Sequence, residues 1–348
     1  METQHNGSEE NSFGEILGLQ NEIGEIQASI ADYEVGKKLN IAIIAGPLAG
    51  KTTLLGEIER INSSRATGIT FSEIIRNKKE ISLPDDTKRI VLLDNCHFLY
   101  RRKTGGFDIF YEFLDMISSQ EKLFITTWNL YSWRYLNEVF GLEKYFPVQV
   151  VIPDFEKENL RLFILKRYGK EEIRFYNDKE AKEEPFIYVA KYPLELSSLG
   201  KKILIPVPKI NIPYLKNRLL NKKETQTTED RIFEKIYLES KGNPGIARRI
   251  WELGLDYPRI KPEDIGQFSF NIELEYEEAF VLSLILLYQS LKKTEISDMI
   301  GSTSRVDEII FRLLTQELIF KDEAGFFRIR PEALHSVVAY MKKLRLVW

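Results

Sequence analysis

The sequence predicts an α/β fold: a parallel sheet covered by helices on both faces, then a helical segment, then a C-terminal helix–turn–helix unit with a β-wing. Three observations carry this expectation. Runs that are apolar throughout, Ile41-Ala42-Ile43-Ile44, Ile90-Val91-Leu92-Leu93 and Leu123-Phe124-Ile125, alternate with helix-like stretches, the pattern of strands buried on both faces. A loop of small residues joins the first run to a helix beginning at Lys51. From about Phe270 the order of signals becomes helix, helix, turn, helix and two short strands.

Taken in order, residues 1–12 are polar and acidic without periodicity and read as a disordered tail. Ile16, Leu19, Ile23, Ile26 and Ile30 then recur at three- and four-residue steps, one face of a helix. The first strand follows, then the loop and its helix, and then a short apolar segment, Ile69 to Ile75. The strand ending at Asp94 comes next, a helix from Phe107 to Ile117, the strand Lys122 to Thr127, and a last strand Val148 to Ile152. These elements place a sheet unit over 13–153. A helical segment over 154–269 opens with an amphipathic helix from Phe155 to Tyr168 and resumes helical patterning near Glu229 and Gly245. Between them, at about 170–221, lies a β insertion, in which Phe186–Ala190 and Ile203–Val207 are expected to pair as a hairpin. Residues 270–348 form the C-terminal unit, with helices Glu277–Leu291, from near Thr294, and from Arg305 towards Leu318, a turn at Gly301, and a β-pair Leu318–Lys321 and Phe326–Ile329.

A chain of 348 residues is expected to hold two or three domains. The 49 Lys and Arg against 52 Asp and Glu leave a formal charge of −3, so no bulk attraction to nucleic acid or anionic membrane exists. The single Cys96 excludes an intramolecular disulfide, and one Cys with three His offers little for zinc. A reducing cytoplasm is the expected compartment. The N-terminus has neither the basic start nor the apolar core of a signal peptide. The longest apolar run, Ala279 to Tyr288, is about half a membrane span and reads as a buried helix. Abundant Ile, Lys and Glu suit a thermophilic source.

The loop Ala45-Gly46-Pro47-Leu48-Ala49-Gly50-Lys51-Thr52-Thr53 has the chemistry of a phosphate cradle. Small residues let successive backbone N–H groups turn inward around an anion, at a helix N-terminus whose partial positive charge already favours one. Lys51 would reach β- and γ-phosphates, and the Thr52 hydroxyl would ligate Mg²⁺. Asp94 ends a buried strand and so projects into the same crevice at the carboxyl edge of the sheet, where it would orient Mg²⁺ or its water. Asn95 stands where many ATPases of this architecture carry a glutamate that polarises the attacking water; an amide orients water but cannot take its proton, so hydrolysis of ATP to ADP and phosphate is expected to be slow. His97 is a substitute base or a packing residue. Thr127 or Asn129, at the end of the next strand, would sense the γ-phosphate or cap the following helix. Arg134 is either an arginine finger for its own or a neighbouring subunit or a partner for nearby aromatics.

Together these residues make the chain resemble an AAA+ type P-loop ATPase, of the archaeal-type branch shared by origin-recognition initiator ATPases and STAND (NB-ARC/NACHT-like) signalling ATPases. Ala45 to Thr53 and Leu92-Leu93-Asp94-Asn95 are similar to the two Walker motifs, Thr126-Thr127-Trp128-Asn129 to sensor 1, and Phe13 to Ile23 to the adenine-side box, with Leu19 where an Arg is common. Gly242-Asn243-Pro244 resembles the STAND Gly-x-Pro element, which implies that Pro244 packs near the nucleotide. A sensor 2 arginine would fall about at Gly245, with Arg248 and Arg249 one turn later, and Arg330 takes the place of the STAND winged-helix His. The resemblance implies a helical lid, a C-terminal winged helix, ATP or ADP with Mg²⁺, and a nucleotide-dependent switch that acts on a protein partner, with homo-oligomerisation open. Two other readings stand beside it: an initiator-like or transcriptional ATPase that binds DNA through the winged helix, and a non-hydrolysing interaction protein with structural nucleotide. Charge does not favour DNA, since residues 271–348 carry ten Lys and Arg against twelve Asp and Glu.

Overall fold

The computed structural model describes residues 17–81, 83, 88–177, 187–196, 201–210, 227–301 and 303–348. The tail at 1–12 and the first residues of the adenine-side box lie outside the described residues.

Helix α1 (Gln20–Glu34) buries Ile26, Ile30 and Tyr33, the expected face, and leads into β1 (Ile41–Ala45). Then follow α2 (Lys51–Ile61), β2 (Ala66–Thr70), β3 (Ile90–Asp94), α3 (Asp108–Ser119), β4 (Leu123–Asn129), α4 (Leu130–Phe140) and β5 (Val148–Val151). The strands form one parallel sheet in the order β2-β3-β4-β1-β5, with Ala45 beside Asn129 and Thr70 beside Asp94. Burial follows the strand's place in that order: every residue of β1, β3 and β4 is buried, whereas β2 and β5 at the edges are partly exposed. The buried rings of Phe110, Phe113 and Phe146 pack around Trp128 of β4. The apolar segment at Ile69 divides: its first two residues finish β2, and Phe71, Ile74 and Ile75 leave the sheet but stay buried.

After the sheet, α5 (Lys157–Leu165) begins the helical segment. A short β6 (Arg174–Phe175) pairs in parallel with β9 (Arg259–Ile260), a pairing no periodicity signals because each partner is two residues long. The hairpin is present as β7 (Ile187–Leu196) and β8 (Lys201–Ile210), antiparallel from Ile187↔Ile210 to Leu196↔Lys201 and longer than the two apolar cores suggest. Helix α6 (Thr228–Ser240) starts at a reciprocal capping box between Thr227 and Asp230. Helix α7 (Pro244–Gly254) starts at Asn243, whose side chain accepts from the backbone N–H groups of Gly245 and Ile246, with proline in the first turn.

The C-terminal unit comprises α8 (Tyr276–Tyr288), β10 (Leu291–Lys292), α9 (Lys293–Ile300), α10 (Thr303–Thr315), β11 (Ile319–Lys321), β12 (Phe326–Ile329) and α11 (Leu334–Lys343). Its strands form an antiparallel sheet in the order β10-β12-β11. Helix α8 stops at Tyr288 rather than continuing to Leu291, because Gln289 turns out at φ +63° and Leu291 is claimed by β10. Ten of its residues are buried, so its all-round apolar character serves an interior position. No described helix is long and apolar enough to cross a membrane.

Candidate nucleotide site

The site is assembled at the carboxyl ends of β1, β3 and β4. Gly50, at φ +93°, turns the loop into α2, and a Cβ at Gly46 or Gly50 would meet no atom within 4 Å. Leu48 also adopts a left-handed conformation, φ +64°, where a glycine would be unstrained. Lys51 is 5% exposed and folds back to donate to Ala45 O at 3.1 Å and Gly46 O at 2.7 Å. Burial lowers its pKa to about 8, and the nearby Asp94 opposes the shift.

Thr52 Oγ1 donates to Asp94 Oδ2 at 2.8 Å. Thr127 Oγ1 donates to the other carboxylate oxygen, and the backbone N–H of Asn95 donates to Thr127 Oγ1 at 2.9 Å. Asp94 thus stands between the loop and the next strand with both oxygens supported. The pair Thr52 and Asp94 offers hard oxygen donors from two elements, the donor chemistry that suits Mg²⁺. The Lys51 ammonium and the open cradle suit a polyphosphate. The residues present therefore fit both groups.

The other sequence candidates fall in different places. Asn95 sits at φ +62° and donates its side-chain amide to Phe71 O at 3.2 Å, so the group is already employed in holding the segment after β2. Asn129 caps two helices: its oxygen accepts from Tyr131 N at the start of α4, and its amide donates to Leu286 O and Leu287 O at the end of α8. Thr127, rather than Asn129, touches Asp94. His97 is buried beside Lys51; desolvation first, and the Lys51 charge second, hold its pKa well below the ordinary value, and its Nδ1 has no partner. Arg134 donates to Trp348 O, Arg248 pairs with Glu252 and Arg249 with Glu332, while Arg330 Nε is buried without a partner.

Pro244 is buried next to the loop, and its neighbours make the contact. Asn243 Nδ2 donates to Pro47 O at 2.9 Å and Gly245 N to Leu48 O at 3.2 Å. A methyl group on Gly245 would lie 2.6 Å from Leu48 Cβ. In the sequence Gly245 stands only as the place where a sensor 2 arginine would fall; the signal it offered was a glycine in a helix's first turn, where no positive φ requires one and close approach is the remaining reason.

The loop from Ala45 to Thr53 leaves β1, beside the central strand β4, with the acidic end of β3 one strand removed across β4 in a parallel sheet. The fold is a mixed α/β one built on a five-stranded parallel sheet. No family model matches the sequence, and no curated protein matches it. Among solved structures, the chain is similar to the RuvB Holliday junction branch migration motor of Thermotoga maritima at 14% identity, covering 92% of this chain and 95% of that one with a TM-score of 0.41. It is similar to Orc1 of Aeropyrum pernix, solved in complex with DNA, at 15% identity over 96% and 95% of the two chains, TM-score 0.45. Cdc6p of Pyrobaculum aerophilum shares 14% identity over 97% of each chain, TM-score 0.41.

Proposed function

We propose that the protein binds ATP and Mg²⁺ at the carboxyl edge of the sheet, hydrolyses the ATP slowly to ADP and phosphate, and acts as a nucleotide-dependent switch in the cytoplasm. The observation that carries this reading is the contact of Thr52 with Asp94 at 2.8 Å, between the loop and the end of β3, with the Lys51 ammonium buried against the same loop. The loop from Ala45 to Thr53 would bind the phosphates through backbone N–H groups, Lys51 would neutralise them, and Thr52 and Asp94 would hold Mg²⁺, which supplies charge neutralisation when bound. Slow turnover follows from Asn95, an amide that cannot accept a proton and that is bonded to Phe71 O.

The switch reading draws support from two contacts on the loop side of the sheet. Residues 154–269, read as a lid, meet Pro47 and Leu48 through Asn243 and Gly245, and residues 270–348, read as a winged helix, meet the end of β4 through α8. Both would feel a ligand. A DNA-reading role gains nothing from α10, where Arg305 pairs with Glu277 and Arg312 with Glu278 and Glu308. The unidentified partner is accordingly read as a protein.

Single-turnover hydrolysis tests the proposal. Wild type is expected to convert bound ATP to ADP over minutes to hours and Asp94→Ala to arrest it; bound ATP that stays intact in both would leave only a structural nucleotide.

A further inference from the structure

A two-stranded β ribbon is marginal by itself and gains stability when another element covers it. Among the described residues, β7 and β8 form a sheet of their own. From the start of β8 the sequence is basic. Residues 201–223 hold seven Lys and Arg and no Asp or Glu, with Ile203, Leu204, Ile205 and Val207 between the first charges. A chain whose formal charge is −3 thus concentrates a charge of +7 in one stretch that is also apolar.

The opposite character is found at the start of α8 and along α10. Tyr276 and Phe311 are 75% and 69% exposed, Tyr276 between Glu275 and Glu277 in the sequence and Phe311 just before Arg312. Arg312 is shared by three carboxylates, at 2.8 Å from Glu278, 3.1 Å from Glu308 and 3.8 Å from Glu275. One guanidinium neutralises only one of the three. A groove of about 910 Å³ adjoins this cluster, lined among others by Ile272, Leu274, Tyr340, Glu273 and Gln316. The side-chain oxygen of Gln316 is buried without a hydrogen-bond partner. Exposed rings beside surplus carboxylates suit a ligand that is cationic and apolar at once, and they repel a nucleic-acid backbone.

We propose that the basic stretch beginning at β8 of one copy of this chain docks on the α8–α10 face of a second copy, joining the molecules head to tail. Both halves of the charge match lie in this one sequence, which is why the occupant is a second copy. The lysines neutralise Glu273, Glu275 and Glu308, the aliphatic residues cover Tyr276 and Phe311, and the ribbon gains the covering element that a two-stranded sheet needs. The contact is heterologous, so each joined pair still offers one free ribbon and one free face. This inference rests on the reading of the partner as a protein and makes no use of bound nucleotide.

Sedimentation equilibrium of the full chain tests it. At about 50 mM salt wild type is expected to exceed its monomer mass of 40.7 kDa, and at about 500 mM salt to associate at least about tenfold more weakly, as screened ion pairs should. Glu273→Lys with Glu308→Lys makes the face basic, and Lys201→Glu with Lys202→Glu makes the ribbon acidic. Each double variant alone should associate about tenfold more weakly than wild type, and Phe311→Ala should do so with every charge in place. Mixed in equal amounts, the two double variants should associate again, because the unaltered ribbon of the first meets the unaltered face of the second. Variants that had merely misfolded would not recover on mixing. Wild type that stays monomeric at about 100 μM in the low-salt buffer would overturn the inference, whether the ribbon is free or folded onto its own chain. Association unmoved by both variants, lost in only one of them, or not restored by mixing would overturn it too, each marking a contact made elsewhere. ADP binding by the same samples is a separate readout, so failure of the nucleotide reading and failure of this one are told apart.

Discussion

Lys51 is an ammonium group buried against backbone carbonyls, and that position has a measurable signature. Its pKa is near 8 in the folded chain and near 10.5 when exposed, so between those values the unfolded state binds more protons and stability rises with pH; below about 8 the cost of burying the charge is borne in full. A polyphosphate beside the ammonium reverses the shift. Nucleotide binding at pH 8.5 is therefore expected to take up about three quarters of a proton, read by calorimetry in buffers of different ionisation enthalpy, and Lys51→Met should lose that uptake. His97 works in the same direction at lower pH. The folded chain keeps it neutral while the unfolded chain protonates near 6.5, so stability is intact above that pH and declines as pH falls below it. Replacing His97 with Gln should flatten the acid limb of the denaturation midpoint between about pH 6.5 and 5; an unchanged limb would locate the acid sensitivity elsewhere. Asn95 illustrates what a residue's type alone leaves open. Its inability to act as a base was legible from chemistry, but its left-handed backbone and its bond to Phe71 O follow from the way the segment after β2 returns beneath β3.

Among the elements, legibility tracks burial. Strands β1, β3 and β4 announce themselves as unbroken apolar runs because helices cover both their faces, and β6 and β9 give no signal because two residues cannot show a period. Helix α7 was legible through its Asn-Pro-Gly start, yet its function as a contact on the phosphate loop was not. That contact yields a sharp expectation. Gly245 has no backbone need to be glycine, so Gly245→Ala acts by steric conflict with Leu48, 2.6 Å from the added methyl. The loop or α7 must shift, which costs about 1–3 kcal/mol in overpacking. We expect a lower chemical denaturation midpoint and weaker nucleotide affinity together. A variant that loses stability but binds as wild type does would separate α7 from the site.

For the molecule as a whole, ligand linkage provides the decisive measurement. Mg-ATP at about a hundredfold excess over its dissociation constant should add about 2.7 kcal/mol to stability, and Lys51→Ala should remove most of that gain in a thermal melt. A melting temperature indifferent to Mg-ATP in wild type would count directly against the site. Duplex DNA at about 50 mM salt, where phosphate attraction is strong, is expected not to bind, because the arginines of α10 are already paired with acids of α8 and α10.

The candidate loop from Ala45 to Thr53, its lysine, the acidic end of β3 and the alternation of strands and helices were legible in the sequence alone, since each rests on neighbours a few residues apart and on side-chain chemistry that travels with the residue. The parts that depend on distant segments meeting were decided only by the tertiary structure: Asn129 capping α8 from 157 residues away, Asn243 and Gly245 resting on the loop, and Arg134 turned to Trp348. Local periodicity records which face of an element is buried. It does not record which other element buries it, and in this protein that second choice brings the helical segment to the loop between β1 and α2 and the C-terminal unit to the end of β4.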